Sequence, residues 1–122
     1  MKRILMVEDS RALSENLATL LNRTPDLEVL GTTSSPAECR NFVTGGEGLD
    51  VSIVDLSLPD GQGIDLINEL RKSCPDTPML VLTTSLDPRD QAQAIKAGAD
   101  AVLSKSADLA EILSTIRRLS RG

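Results

Sequence analysis

Histidine, tryptophan and tyrosine are absent from the chain, a single phenylalanine is the whole of its aromatic content, and only two cysteines occur. Without histidine, Cys39 and Cys74 belong to no familiar zinc pattern, and their wide separation reads as two free thiols behaving as small, half-buried hydrophobes. Lacking Trp and Tyr, the protein has no useful intrinsic fluorescence. Long apolar runs are missing too. None approaches the roughly 18 residues a membrane-spanning helix needs, so a soluble protein with no membrane contact is expected. Met1-Lys2-Arg3 followed by Ile4-Leu5-Met6-Val7 imitates a signal-peptide start, but Glu8-Asp9 ends the run too early, and a cytoplasmic protein without export signal is expected. Positive charge is scarce: 13 Lys and Arg against 18 Asp and Glu leave a net charge of −5, which argues against direct nucleic acid binding.

What is present describes one domain, residues 1–122: the chain is 40% hydrophobic, enough to bury a core of its own. Short apolar runs at Ile4–Val7, Leu27–Leu30, Val51–Val54, Met79–Leu82 and Ala101–Leu103 read as buried parallel strands. Between them, Leu13, Leu17, Leu20 and Leu21 recur at helical spacing, as do Ile64, Leu66, Ile67 and Leu70, and Leu109, Ile112, Leu113 and Ile116. Two further helices, about Ala37–Val43 and about Arg89–Ala97, have thinner apolar faces but are bracketed by turn residues: Gly45-Gly46 closes one, and Gly98 stands where a C-cap wants positive φ. Five strands alternating with five helices imply right-handed crossovers and an α/β fold, a doubly wound five-stranded parallel sheet with helices on both faces. The flavodoxin-like order 2-1-3-4-5 leads, and ligands of such sheets sit beyond the carboxyl ends of the strands at the switch point.

Those strand ends carry the chemistry. Glu8-Asp9 closes the first strand and Asp55 the third, neighbours in that order, so three carboxylates converge. Like charges that close repel unless a cation sits among them, and a few carboxylates with water and phosphate oxygens suit Mg²⁺. Thr83-Thr84-Ser85 ends the fourth strand and Ser104-Lys105 the fifth, supplying hydroxyls and an ammonium to a phosphoryl group. Taken singly, Asp9 or Ser10 is a helix N-cap, Asp55 a turn residue, Thr83 a strand residue and Lys105 a solvated lysine. The coincidence of all four ends is what points to a site.

The blocks Ile4-Leu5-Met6-Val7-Glu8-Asp9-Ser10, Val54-Asp55-Leu56-Ser57-Leu58-Pro59-Asp60-Gly61, Val81-Leu82-Thr83-Thr84 and Ala97-Gly98-Ala99-Asp100-Ala101-Val102-Leu103-Ser104-Lys105 resemble the receiver domain of two-component response regulators. The resemblance covers essentially the whole chain. It implies Glu8 and Asp9 as Mg²⁺ ligands, Asp55 as phosphoacceptor and metal ligand, a metal-ligating backbone carbonyl at Ser57, a phosphate-binding hydroxyl at Thr83 and a phosphate-binding ammonium at Lys105. It implies a sensor histidine kinase or phosphotransfer protein as donor, and an output domain or downstream protein read through the fourth helix, fifth strand and fifth helix. A phosphorylation-dependent homodimer is a further implied partner, and no enzymatic activity is implied beyond phosphotransfer and dephosphorylation at Asp55.

Three positions depart from the family's habit. Val102 stands where many members carry an aromatic switch residue, and Thr84 where many carry Ala or Gly. Ser106 stands where many carry a proline in a cis bond, which leaves the Lys105-Ser106 isomer open. Val102 and Thr84 are the warrant for a rival reading, an interaction module that works without phosphorylation. A Mg²⁺-dependent aspartyl-phosphate hydrolase would want a general acid two residues after Asp55, where Ser57 stands. A flavin site is disfavoured by Glu8-Asp9 after the first strand.

Overall fold

The computed structural model describes residues 2–8, 11–33, 49–56, 61–84 and 87–120. Five strands form one all-parallel sheet: β1 (Lys2–Glu8), β2 (Leu27–Thr33), β3 (Val51–Leu56), β4 (Met79–Thr83) and β5 (Ala101–Ser104), in the order β2-β1-β3-β4-β5. This is the topology expected from the alternation of apolar runs, and each strand extends its run by one to three residues. The extension follows from the ladder: a buried backbone amide must find a partner, so pairing continues through the polar residues at the strand ends.

Among the described residues four helices accompany the sheet: α1 (Arg11–Asn22), α2 (Gly61–Ser73), α3 (Pro88–Ala97) and α4 (Leu109–Leu119). The helix expected over Ala37–Val43 lies outside the described residues, so α3 and α4 are the fourth and fifth of the expected set. Strand residues alternate between the two faces. Leu5, Val7, Val54, Leu56 and Val81 pack with Ile67 and Leu70 of α2 and Ala94 of α3, whereas Ile4, Met6, Ile53, Leu80 and Leu82 pack with Leu21 of α1 and Ile112 and Ile116 of α4.

The helix with the thinnest apolar face, α3, is held by its ends. Ala94 is its buried residue, and Ile95 is 47% exposed. Asp87 supplies the N-cap, its carboxylate accepting from the Arg89 amide at 2.9 Å, and Pro88 opens the helix with φ already set. At the other end Gly98 has the expected positive φ, 135°, and an added Cβ would lie 3.1 Å from the Arg71 Cβ. Arg71, near the end of α2, also donates through Nε and Nη2 to the Gly98 carbonyl at 3.1 and 2.6 Å, and through Nη1 to the carbonyls of Pro75 and Thr77. Its Nη2 meets Asp100 Oδ2 at 2.7 Å, and that oxygen accepts the Met79 amide at the start of β4. One guanidinium thus ties α2, α3, β4 and β5 together at the amino edge of the sheet.

One expectation is overturned. Cys74 is not a free thiol: it is disulfide-bonded, 5% exposed and part of the core beneath α2, while Cys39 lies outside the described residues. Distance along the sequence is no measure of distance in a fold whose crossovers return each segment to the same sheet, so the spacing of cysteines could not decide their oxidation state.

Candidate phosphoacceptor site

The carboxyl edge of the sheet brings Asp55 and Lys105 together. Asp55 is the penultimate residue of β3 and is only 3% exposed; β1 places Glu8 directly beside it in register, and β4 places Leu82 on its other side. Lys105 follows β5, and its backbone amide donates to the Thr83 carbonyl at 2.8 Å. From there the ammonium reaches back over the strand ends to 2.7 Å from Asp55 Oδ1, the two side chains being 13% and 4% exposed. The distance is that of an ion pair, but neither atom makes a hydrogen bond of sound angular geometry. The charges touch without saturating one another, and a buried carboxylate oxygen and a buried ammonium retain capacity for further partners.

Among the described residues the remaining lining of the cavity is apolar. Leu17 of α1, Leu82 of β4 and Ile112 of α4 line a space of about 100 Å³ with Asp55 and Lys105. Buried to this degree, the pair is screened less than it would be in water, so its charges act more strongly on whatever enters.

Thr83 ends β4 at 2% exposure, paired in register with Leu56 and Ser104. Strand alternation sets it with Val81 on the α2/α3 side, whereas Asp55 follows Ile53, and Lys105 follows Leu103, on the α1/α4 side. Val102 packs on the same side as Val81. Asp55 and Thr83 therefore belong to opposite faces of the sheet at its carboxyl edge. Asp9 and Ser57 lie outside the described residues, as does the side chain of Glu8. The Lys105-Ser106 bond is trans, since the described residues hold no cis peptide.

Among the described residues no cluster of three or more acids, cysteines or histidines is assembled. The donor set nevertheless fits a hard divalent cation on two counts. Asp55 Oδ1 is buried and short of hydrogen bonds, and Glu8 is its neighbour in register. The turn around Lys105, with Ser104 and Ser106 on either side, is the element the sequence patterns missed; the only signal was serine spaced two residues from serine.

Known proteins give this arrangement a context. The sequence profile of the response regulator receiver domain matches residues 4–117. The DNA-binding transcriptional activator DevR/DosR of Mycobacterium tuberculosis is 31% identical over the whole chain, and the transcriptional regulatory protein LiaR of Bacillus subtilis is 31% identical over the same span. The chain covers 56% and 57% of the length of these two relatives. A solved two-component response regulator of the LuxR family from Aurantimonas superposes with a TM-score of 0.79 at 26% identity, over 98% of this chain and 85% of that one. A response regulator from Burkholderia pseudomallei, solved with a phosphorylated aspartic acid, a calcium ion and citrate, superposes with a TM-score of 0.73 at 29% identity, over 99% of this chain and 69% of that one.

Proposed function

Because the chain belongs to the response regulator receiver domain family, we propose that it is a Mg²⁺-dependent switch whose phosphoacceptor is Asp55. The observation that carries the proposal is the buried contact of Asp55 with Lys105, 2.7 Å apart at the carboxyl edge where β1 and β3 lie side by side. A solvated aspartate after a strand would have no such partner.

Asp55 Oδ attacks the phosphorus of a phosphohistidine on a sensor kinase or phosphotransfer protein. The new oxygen–phosphorus bond forms as the phosphorus–nitrogen bond breaks, and its electron pair leaves with the imidazole. Lys105 turns from the carboxylate toward the phosphoryl oxygens, and the Thr83 hydroxyl donates to another. Glu8, Asp9, Asp55 and the Ser57 carbonyl would hold Mg²⁺, which when bound neutralises charge on the phosphoryl group. The compartment is the cytoplasm, where a kinase draws on ATP. Since two relatives are transcriptional regulators, the output governed by the switch is transcription, carried by a segment or partner beyond these residues and read through α3, β5 and α4.

Incubation with a small acyl phosphate and Mg²⁺, followed by intact-mass spectrometry at neutral pH, tests the reading. Wild type gains one phosphoryl group and Asp55→Asn gains none. Undiminished uptake by Asp55→Asn would place the acceptor elsewhere and refute the assignment, and no uptake by wild type would refute it and favour the phosphorylation-independent module.

A further inference from the structure

Lys105 has to span from the end of β5 to the end of β3, and a side chain with four rotatable bonds holds that reach only if its backbone is fixed. The fixing comes from both directions. On the amino side, the Lys105 amide donates to the Thr83 carbonyl at 2.8 Å. On the carboxyl side, the Ser106 amide donates to Ser104 Oγ at 3.1 Å, the Ser104 and Ser106 hydroxyls pair at 2.8 Å, and the Ala107 amide donates to the Ser104 carbonyl at 3.0 Å. Ser104 thus closes a side-chain turn over Lys105 and a backbone turn over Lys105 and Ser106, so that Lys105 is enclosed by both.

We propose that Ser104 is a positioning residue: its hydroxyl locks the trans turn Ser104–Ala107 so that the Lys105 ammonium is delivered to Asp55. This rests on the phosphoacceptor reading for its functional meaning, though not for its geometry. A turn of this sequence has no proline to restrict it, and the serine hydroxyl supplies the missing restraint by occupying the Ser106 amide. Ser106 itself is secondary, because its hydroxyl bonds only that of Ser104 while its amide is what the turn needs.

The test compares Ser104→Val with Ser104→Thr, which differ in shape by almost nothing and in chemistry by one hydroxyl. The first readout is the Lys105 ε-methylene signal by NMR, recorded with and without Asp55→Asn in each background. In wild type and in Ser104→Thr, Asp55→Asn shifts that signal because the ion pair is lost. In Ser104→Val the shift is largely abolished, since the ammonium has already left. Ser106→Ala behaves as wild type. The second readout is uptake from a small acyl phosphate with Mg²⁺, which slows about threefold to tenfold in Ser104→Val, the effect of one hydrogen bond, and recovers in Ser104→Thr. A full Asp55-dependent shift in Ser104→Val overturns the proposal, as does equal uptake by the Val and Thr variants. If wild type accepts no phosphoryl group while the NMR pattern holds, the phosphoacceptor reading fails and the positioning role stands.

Discussion

Removing the ammonium of Lys105 would leave Asp55 as a buried carboxylate without its described counter-charge. Breaking a buried pair from one side costs about 3–5 kcal/mol, and because Lys105 keeps some contact with water the lower end applies. Lys105→Met is therefore expected to lose about 3 kcal/mol of stability in urea melts followed by circular dichroism. Asp55→Asn, which removes the charge at the centre of the acidic edge, is expected to lose less. The surface pair Asp26–Arg117 behaves differently. The Arg117 guanidinium, hydrogen-bonded to both Asp26 oxygens at 3.0 Å, holds that carboxyl below its ordinary value, against a smaller opposing effect of burial. A carboxyl lowered in the folded state contributes stability that is present above its unfolded pKa, about 3.9, and fades as pH falls through the lower folded value. Asp26→Asn should accordingly destabilise slightly at neutral pH and not at all at the acid end of that window, in melts at low salt across the pH range.

Each helix and strand is fixed partly by what the sequence displays and partly by bonds it hides. The strands were legible because a sheet covered on both faces demands near-continuous apolar runs, as Ile4–Val7 shows and Val51–Val54 shows with Ser52 as its one polar residue. Gly98 was legible as a C-cap, and Asp87-Pro88 carries the sequence signature of a helix start. Arg71 was not. Its bonds run mostly to backbone carbonyls, and a carbonyl has no residue type by which a pattern could betray it. For the same reason Glu8 beside Asp55 followed from strand order, while the reach of Lys105 to 2.7 Å depended on a turn that strand order does not describe. The clamp has a testable strength: Arg71→Ala should cost about 2–3 kcal/mol, the range for breaking a multiply bonded network. Arg71→Lys should restore little of it, because an ammonium cannot reproduce the planar fork. Chemical denaturation of the two variants checks both. At the other end of α3 lies the proposed output route. With Val102 in place of an aromatic, and packed on the α2/α3 side with Val81, the conformational change is expected to fall short of the about 5.5 kcal/mol that takes a switch from 1:99 to 99:1. Thr83→Ala should still accept a phosphoryl group yet show smaller amide shifts over residues 87–110 than wild type when a phosphate mimic is added. Equal shifts in the two proteins would remove Thr83 from the route.

At the scale of the whole molecule, the two edges of one sheet divide the labour. The amino edge is tied by Arg71 and Asp100, and the carboxyl edge brings Asp55 and Lys105 together with Glu8 beside Asp55 in register. Mg²⁺ at a hundred times its dissociation constant should raise stability by about 2.7 kcal/mol if it binds the native state alone, and melting curves with metal and with chelator would register it. Calorimetry or circular dichroism is needed, since the chain has no Trp or Tyr. Narrower than metal binding is the proposed chemistry itself, in which one carboxylate, Asp55, becomes an acyl phosphate. Borohydride reduction of the phosphorylated protein converts an aspartyl phosphate to homoserine, which peptide mass spectrometry locates by residue. Homoserine at position 55 alone is the expected result; homoserine at another acidic position, or phosphoryl uptake that leaves none at 55, would contradict it.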